Sequence, residues 1–584
     1  MDLLEPAVHV VVIGGGATGV SAAWALAQRG LTTVLVERTD WAAGTSGRNH
    51  GLLHSGARYA VKDPKAAWEC WQENQRIRRL FPDVVDPCGG LFVALTETDS
   101  GYLNELEIAL KGLGIPHQRL SGDEARTLEP ELSPAVVAAL AVPDASVNPF
   151  RLVARIAARA EEAGAHLYPG WQVTGLSRPQ APGGRWRVEL LGGDGRRAAV
   201  EAQAVVNAGG PWAAHLAELA GETLPMQPMA GSLLVYASRP VRRVINRSRP
   251  PADGDILVPG GPVLVAGTTS RPVGTAPEEL DPPGLRVLPW EVHLLRREAE
   301  AMLPALADTR LLRAFVGVRP LPAGKGSNDA AGREASRDFQ VEAGESGFFS
   351  VIGGKLTTSL LLGEAVAGRV SHYLGVGDVH KPLSGHAGGR AGGQAARRSK
   401  VSTYSSFTSG GQRLAGKANG AMICECEWLR EGELVDELRQ SFGRVGFEGA
   451  RRRGRLGAGP CQGLVCSLRL PGLAWQAMGV PLATPDKRQL DSSAQVDQIW
   501  DQWLQFVRRR WLGVGLVQAD PQAQRALHEA DLVYTEMMGL PPQVWRPLVP
   551  ARDPLIPSAQ ERPAESRLVQ NQAQRQAEGK RAMA

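Results

Sequence analysis

Four of the six cysteines in this 584-residue chain form two close pairs. Cys424 and Cys426 lie in ICECE, and Cys461 and Cys466 lie in GPCQGLVC, with 34 residues between the two pairs. A C-x-C pair rarely closes a disulfide, whereas four thiolates can hold a zinc ion or a [2Fe–2S] cluster. Structural zinc sites favour C-x2-C pairs, so C-x-C is less usual for them. The spacing predicts a four-cysteine metal site, and at this point both metals remain open.

A glycine-rich turn near the N-terminus has the spacing of a nucleotide-binding loop. Gly14, Gly16 and Gly19 satisfy G-x-G-x-x-G between the apolar run VHVVVI and an alanine-rich helical pattern. These glycines allow a tight turn, the approach of a pyrophosphate, and close packing of helix on strand. Glu37 ends the next apolar run, where a carboxylate can bind a ribose. The predicted contacts of this dinucleotide site are Gly14, Gly16, Ala17, Thr18, Gly19, Glu37 and Arg38.

Two later segments indicate which dinucleotide binds. VVNAGGPWA at 205–213 and VIGGKLT at 351–357 both end an apolar run in small residues. Flavoproteins return to the cofactor from late in the chain, whereas an NAD site is more often completed by a contiguous second half. Each segment alone is also compatible with an ordinary strand end, but together they favour FAD. The predicted contacts are Asn207, Ala208, Gly209, Gly353, Gly354, Lys355, Leu356 and Thr357.

The loop GTSGRNHGLLHSGARYA at 44–60 is polar, small and cationic, which is typical of a loop at a ligand. Thr45 and Ser46 can donate to a pyrophosphate, and Arg58 and Tyr59 can reach a substrate. Further cations follow at Arg319, Arg337 and Lys355. If these cations converge they form a clamp for a phosphate or carboxylate, and otherwise each arginine is a surface ion-pair partner.

These residues need elements that bring them together. VHVVVI at 8–13 and TTVLVER at 32–38 read as buried parallel strands around a helix that ends at Gly30, which makes a βαβ unit. An amphipathic helix is predicted at 148–165, strands predominate at 225–350, and strand, turn and helix return after 348. We therefore expect an α/β protein: a Rossmann-like FAD-binding domain, an α+β substrate part, and a small cysteine-rich helical module.

The predicted organisation has five parts. Residues 1–380 form the oxidoreductase with interleaved FAD and substrate subdomains, and 381–420, rich in Gly and Ser, form a linker. Residues 421–480 form the cysteine module, 481–545 a helical segment, and 546–584 a disordered tail rich in Gln, Arg, Ala and Glu.

Composition excludes several classes of protein. The net charge of +5 is small for this length and does not indicate nucleic-acid binding. Six cysteines are too few for a disulfide framework, which fits a reducing cytoplasm. Cys70 and Cys88 lie outside the four-cysteine pattern and are expected to be buried small hydrophobes. No apolar run is long enough to span a bilayer, so we expect a cytoplasmic protein, peripheral at most on the inner face of the membrane.

Several sequence motifs, in this order, resemble those of the FAD-dependent glycerol-3-phosphate dehydrogenases, most of all those of the A subunits of the anaerobic enzymes. They include GGGATGVSAAWALAQRG, GRNHGLLHSGARYA, VPDASVNPFRL, VVNAGGPW, GVRPL and GGKLTT. The resemblance runs from about residue 8 to about residue 540 and implies the D-amino-acid-oxidase type of fold. It also implies oxidation of sn-glycerol 3-phosphate at C2 to dihydroxyacetone phosphate, with the hydride passing to FAD.

By this resemblance, Arg58, Arg319 and Arg337 grip the phosphate and Lys355 lies near the reacting oxygen. Tyr59 and His54 are the nearby groups that can manage the hydroxyl proton, and the sequence leaves open which one does.

The same resemblance extends to the cysteines. Their spacing is similar to that of the domain found in bacterioferritin-associated ferredoxin, which favours a [2Fe–2S] cluster, with zinc as the alternative. A cluster gives electrons a one-electron exit through partner subunits, one of them a membrane anchor, to a quinone. A dehydrogenase of another hydroxy acid or amine, and a non-catalytic redox flavoprotein, remain as rival hypotheses.

One departure from the family pattern stands out: Ser359 and Leu360 replace the Tyr-Arg that follows GGKLTT in the family.

Two basic stretches each allow two interpretations. Arg451, Arg452, Arg453 and Arg455 form either a solvated face or a group that tunes the cluster or docks an acidic partner. FVRRRWLG at 506–513 either docks a membrane subunit or lipid, or packs on its own domain.

Overall fold

The computed structural model describes residues 2–5, 7–180, 183–281, 284–323, 339–344, 346–377, 382–383, 420–478, 493–511, 514, 517 and 520–545. The chain divides into two compact units, Met1–His528 and Glu529–Ala584. The first unit contains both the predicted flavin part and the cysteine module. Arg337, most of the predicted linker and the predicted tail lie outside the described residues.

The described strands are β1 Asp2–Leu3, β2 Val8–Ile13, β3 Thr33–Glu37, β4 Leu52–Leu53, β5 Val85–Asp86, β6 Gly90–Ala94, β7 Gln118–Ser121, β8 Ala138–Val142, β9 Ala145–Val147, β10 His166–Pro169, β11 Trp171–Ser177, β12 Trp186–Gly192, β13 Arg197–Asn207, β14 Met226–Tyr236, β15 Val244–Arg247, β16 Ile256–Gly260, β17 Val263–Gly267, β18 Arg271–Pro272, β19 Leu311–Pro322, β20 Gln340–Ala343, β21 Phe348–Ile352, β22 Met422–Cys424 and β23 Leu429–Arg430.

The described α-helices are α1 Ala17–Gln28, α2 Pro64–Leu80, α3 Glu97–Gly112, α4 Gly122–Leu128, α5 Pro149–Glu162, α6 Ala213–Leu219, α7 Pro277–Leu280, α8 Pro289–Met302, α9 Ser359–Tyr373, α10 Glu431–Gly454, α11 Leu470–Ala477, α12 Ser493–Arg509, α13 Asp520–Ala530 and α14 Pro542–Trp545. A π-helix covers Asp531–Met537, and short 3-10 turns include Thr45–Gly47, Ala57–Tyr59 and Cys466–Arg469.

The first sheet confirms the predicted Rossmann-like domain. Strands β10, β3, β2 and β13 pair in parallel in that order, β21 pairs in parallel with β13, and β12 and β11 extend the sheet antiparallel. Val10 and Val12 of β2 pack in the cluster that holds α1, α5 and α9, while Val11 and Ile13 pack in another cluster. Burial of both faces explains the unbroken apolar run of this strand.

The ends of these parallel strands position the site. Because parallel strands share a direction, the residues after β2, β3, β13 and β21 meet at one edge of the sheet. That edge carries Gly14, Glu37, Ala208 and Gly353, all predicted from the sequence to contact the cofactor.

The second sheet is the mainly antiparallel substrate part. Its strands follow the order β18, β14, β17, β16, β15, β6, β8 and β7, and β19 pairs along the length of β14. Only β15 and β6 pair in parallel among these described strands. The sheet confirms the strand-rich character predicted for 225–350 and carries Arg319 on β19.

The cysteine module combines the hairpin of β22 and β23 with α10 and α11. Helix α10 is interrupted at Gly446, where φ is +54°. Helix α12 buries Trp503, Phe506 and Val507, which favours the interpretation that the 506–513 segment packs on its own domain. Of the helices in the described ranges, none has the length and apolar character needed to cross a membrane.

Candidate active site

The glycine turn between β2 and α1 fits the role predicted for it. Gly14 has φ +111°, and a Cβ there would lie 2.4 Å from the Ala208 carbonyl oxygen. A Cβ on Gly19 would lie 1.9 Å from the Gly14 carbonyl oxygen, so α1 packs on the turn only because this residue is glycine. The N-terminus of α1 therefore faces the edge of the sheet at close range, as a phosphate site requires.

Polar side chains surround the start of α1. Glu37 accepts a hydrogen bond from the Gly15 amide at 2.8 Å, and Ser46 Oγ accepts one from the Ala17 amide at 2.9 Å. Arg38 stacks on the Trp212 ring, 4.2 Å from its centroid, and forms an ion pair with Asp281 at 2.9 Å. A carboxylate, a hydroxyl and a guanidinium thus lie beside the N-terminus of α1.

A cavity of about 560 Å³ runs from this loop to the substrate sheet. The residues predicted from the sequence that line it are Gly14, Gly16, Ala17, Thr18, Glu37, Arg38, Thr45, Ser46, His54, Arg58, Tyr59, Ala208, Gly209, Arg319, Gly353, Gly354, Lys355, Leu356 and Thr357. The convergence of residues from six separate stretches of sequence on one cavity is decided by the fold.

Two predicted cofactor residues do not line the cavity. Gly19 packs inside α1, as described. Asn207 is fully buried and donates to the Ala213 carbonyl oxygen at 2.8 Å and to Ser350 Oγ at 3.1 Å. Its own side-chain oxygen accepts from the Gly209 amide, so Asn207 shapes the turn after β13 instead of facing a ligand.

Aromatic and basic groups cluster on one wall of the cavity. Lys355 Nζ lies 4.9 Å from the centroid of the Tyr59 ring. The Tyr59 ring is 5.3 Å from His54, and His54 is 6.1 Å from His50. The His54 amide donates to Thr357 Oγ1 at 3.2 Å, which ties the 44–60 loop to the loop after β21. This cluster can hold or accept a proton from a bound hydroxyl.

Two arginines reach the same cavity through one chain of contacts. Arg58 forms an ion pair with Asp255 at 2.7 Å, and both side chains are almost fully buried. The Gly254 amide, next to Asp255, donates to the Thr268 carbonyl oxygen, and Arg319 donates to Thr268 Oγ1. Arg58 and Arg319 are therefore fixed relative to each other, which is the arrangement an anion clamp needs.

The four paired cysteines also come together. The thiols of Cys424 and Cys466 are hydrogen-bonded, which lowers the pKa of Cys424 to about 7 and, with burial, raises that of Cys466. Cys426 is hydrogen-bonded to Cys461, and burial raises its pKa to about 11. Electrostatic interactions also link Cys466 to Cys461 and Cys426, so both pairs belong to one group.

The surroundings of the thiols suit sulfur ligands. Backbone amides of Glu427 and Gly457 donate to Cys424, and a Cβ on Gly459 would lie 2.3 Å from the Cys426 Cβ. In the described residues, however, no group of three or more His, Cys, Asp or Glu side chains has the arrangement of a formed metal site. The four cysteines supply the thiol ligands that a zinc ion or an iron–sulfur cluster uses, and in the structure they are free thiols without disulfide bonds.

The arginine-rich stretch before Cys461 is not a solvated face. Arg453 is buried and contacts Asp40 at 2.8 and 2.9 Å, and it also donates to Glu437 at 2.6 Å. Arg455 forms an ion pair with Glu427 and donates to the Gly260 carbonyl oxygen. The solvated-face interpretation is therefore wrong, because these side chains join the cysteine module to the flavin and substrate parts. Tuning of a cluster and docking of an acidic partner stay predictions.

Comparison with known proteins places this cavity in a family. The sequence profile described as DAO, FAD dependent oxidoreductase, matches residues 9–369. The chain belongs to the FAD-dependent oxidoreductase family.

Curated relatives in this family match most of the chain, and they include A subunits of anaerobic glycerol-3-phosphate dehydrogenases. The protein of this name from Escherichia coli K12 is 38% identical over 528 residues, covering 86% of this chain and 92% of the relative. Its counterpart from Haemophilus influenzae is 36% identical over 564 residues, covering 92% and 94%. The chain therefore belongs, within the oxidoreductase family, to the group of these A subunits.

Solved structures agree on the fold. Glycine oxidase from Geobacillus kaustophilus matches with a TM-score of 0.52 and 23% identity, over 63% of this chain and 95% of that one. Glycerol-3-phosphate dehydrogenase from Bacillus halodurans, complexed with FAD, matches with a TM-score of 0.51 and 20% identity, over 91% and 95%. The predicted D-amino-acid-oxidase type of fold is confirmed.

The departure from the family pattern at Ser359 and Leu360 falls in the core. Both residues are buried at the start of α9, and Leu360 packs with the residues of α1 and β2. The leucine thus joins helix packing and contributes no group to the cavity.

Several residues that line the cavity were not predicted from the sequence to do so, among them three in the predicted ligand loops and two late in the chain. Arg48, His50 and Trp212 lie inside sequence segments that are predicted to be ligand loops, so their polarity and position could have identified them. Arg452 and Arg509 also line it; their basic stretches were noted in the sequence, but nothing local to them indicated a contact with the cofactor cavity.

Proposed function

We propose that this chain is the catalytic subunit of an FAD-linked dehydrogenase that oxidises sn-glycerol 3-phosphate at C2 to dihydroxyacetone phosphate. The observation that carries the proposal is one cavity that joins the nucleotide loop of β2 and α1 to a wall of cationic and proton-accepting side chains. The 38% identical relative named for this reaction supports the choice of substrate.

The cavity fits FAD on chemical grounds. The Gly14 turn leaves no space for a side chain where the backbone meets the pyrophosphate, and Glu37 can accept from a ribose hydroxyl. Thr45, Ser46 and the amides at the start of α1 can donate to the pyrophosphate oxygens. When bound, FAD supplies the acceptor for the hydride that leaves C2.

The anionic end of the substrate is assigned to Arg58 and Arg319. Asp255 holds Arg58 in place, while Thr268 positions Arg319, so both guanidiniums are preorganised for a phosphate. Arg337 is expected to join them and lies outside the described residues.

The proton of the C2 hydroxyl is assigned to the aromatic and basic wall. Lys355 lies over Tyr59, which contacts His54, so Tyr59 and His54 are the adjacent groups that can take the proton of the C2 hydroxyl. Lys355 also stabilises negative charge on the substrate oxygen as the proton leaves.

The four cysteines are proposed to hold a [2Fe–2S] cluster, with zinc as the alternative. Four thiols in one group, with amide donors to sulfur, are the ligands such a cluster needs. A cluster would let electrons leave the protein one at a time. The relatives are named as subunits of a larger enzyme, which supports partner subunits here. We propose quinone as the eventual acceptor and a peripheral position on the inner face of the membrane.

An anaerobic visible spectrum of the purified protein, before and after addition of glycerol 3-phosphate, tests the proposal. We expect flavin peaks with broad absorbance to the red, and bleaching of both by the substrate but not by glycerol. Bleaching by glycerol, a 2-hydroxy acid or an amine instead would contradict the substrate assignment. Flavin that no substrate bleaches would favour a non-catalytic flavoprotein, and zinc without red absorbance would exclude the cluster.

A further inference from the structure

Two arginines of the cavity come from outside the family domain. The domain match ends at residue 369, yet Arg452 of α10 and Arg509 of α12 line the same cavity as Gly14 and Glu37. The cofactor cavity is therefore not completed by the oxidoreductase domain alone.

Both arginines are held in place by the same buried carboxylate. Glu448 lies 2.7 Å from Arg509 and 3.6 Å from Arg452, whose other contact is Asp40 at 3.4 Å. Asp40 lies three residues after Glu37, the last residue of β3. Arg452 thus approaches the cavity beside the strand end that is predicted to bind the cofactor ribose.

The cavity as a whole is lined by more cationic side chains than carboxylates. Among the described residues, seven basic side chains and three carboxylates line the cavity. The pKa of Arg48 is lowered mainly because its side chain is buried. The nearby charges of Arg452 and Arg38 lower it further, and Asp281 opposes the shift. Next to the cavity, the single carboxylate of Glu448 is shared by three guanidiniums, those of Arg451, Arg452 and Arg509, so it does not neutralise all of them. A bound anion would neutralise the remaining positive charge.

We propose that Arg452 and Arg509 belong to the cofactor site and bind the pyrophosphate of FAD, so that retention of FAD depends on the cysteine module. This inference rests on the proposed FAD enzyme and extends it. A pyrophosphate diester supplies two negative charges, and guanidiniums pair with its oxygens through strong, charge-assisted hydrogen bonds.

The coupling works in both directions. If docking of the module strengthens FAD binding, bound FAD must strengthen docking of the module by the same factor. Loss of FAD should therefore loosen the contacts of Arg453 with Asp40 that hold the module on the flavin part.

The test measures FAD affinity in the full-length apo-protein by titration of flavin fluorescence. Arg452→Gln and Arg509→Gln remove the proposed contacts. Arg439→Gln, on α10, and Arg508→Gln, on α12, are matched controls, since both side chains are exposed and neither lines the cavity. Riboflavin is the second probe, because it has the same ring system and no phosphate.

We expect each cavity variant to raise the Kd for FAD by about tenfold or more, with the Kd for riboflavin unchanged and both controls like wild type. If Arg452→Gln fails to fold, Arg509→Gln decides the test, because its side chain is 44% exposed at the end of a helix. Equal weakening of FAD and riboflavin, or no weakening of either, overturns the inference. Wild-type protein that binds no FAD would instead overturn the proposed function itself.

Discussion

Replacing Gly363 by alanine should destabilise the protein, whereas the same replacement at Gly368, on the same helix, should stabilise it. Helix α9 packs against α1 at Gly363, where a Cβ would lie 2.5 Å from the backbone carbon of Ser21 and 2.7 Å from its oxygen. A Cβ on Gly368 would have nothing within 4 Å. The pair thus separates packing from helix propensity within one element.

The sizes of two opposing free-energy contributions, helix propensity and overpacking, decide whether each replacement stabilises or destabilises the protein. Alanine is better than glycine inside a helix by about 1 kcal/mol. At Gly368 nothing opposes this gain, and we expect stabilisation of about 0.5–1 kcal/mol. At Gly363 the neighbour is backbone and cannot rotate away, so α9 must move by about 1 Å, and overpacking of this kind costs about 1–3 kcal/mol. Subtracting the helix-propensity gain of about 1 kcal/mol from this cost leaves a net loss of up to about 2 kcal/mol.

Gly363→Ala should also weaken FAD binding, because Ser21 belongs to α1, the helix whose first turn is proposed to bind the pyrophosphate. If bound FAD holds α1 in its original place, binding must overcome the strain, and the Kd for FAD should rise by up to about 30-fold. Gly368→Ala should leave the Kd unchanged.

Urea unfolding of the apo-protein, followed by circular dichroism, and titration with FAD measure the two effects. Wild type and Gly368→Ala serve as references for Gly363→Ala. The reasoning is refuted if both variants shift the urea midpoint in the same direction by similar amounts, because packing of α9 on α1 would then not distinguish the two positions.

Three further predictions concern other parts of the molecule. Arg319→Met should raise the KM for glycerol 3-phosphate by about 10–100-fold without loss of bound FAD, because a charge-assisted contact with phosphate contributes about 1.5–3 kcal/mol; steady-state kinetics with an unchanged KM would contradict this. Although Glu448 is buried, Arg451 and neighbouring arginines lower its pKa to about 2, so its stabilising effect is complete above about pH 4.5 and is lost as the pH falls towards 2. Glu448→Gln should therefore lose on the order of 3 kcal/mol at pH 7, and urea unfolding should show this difference shrinking with falling pH; a pH-independent difference would be inconsistent with it. Cys426→Ser should abolish cluster iron in metal analysis while the matched Cys70→Ser, at a buried cysteine outside the group, keeps it; equal iron in both would exclude Cys426 as a ligand.

The flavin part was largely predictable because its signals are local. Gly14, Gly19 and Glu37 indicate a turn, a helix contact and a strand end through the residues beside them, and β2 and α1 follow the predicted bounds closely. The role of Asn207 was not predictable, since its partners Ala213 and Ser350 are chosen by packing after β13 and β21 are side by side.

The basic stretch before Cys461 shows why local signals fail elsewhere. A run of arginines looks alike in sequence whether it faces water, a partner or another part of the same chain. Only the fold brings Asp40 to Arg453, across more than 400 residues of sequence, and burial then makes an ion pair of them.

The sequence by itself determined the elements and the chemistry available: a glycine turn for a pyrophosphate, cations for an anionic substrate, and four thiols for a metal. These follow from residue types and short spacings, which physical chemistry constrains within a few residues. The tertiary structure alone decided which of these groups share a cavity. Convergence of Arg58 with Arg319, and of Arg452 with Glu37, depends on contacts between distant segments, whose pairing is set by the packing of whole sheets and helices.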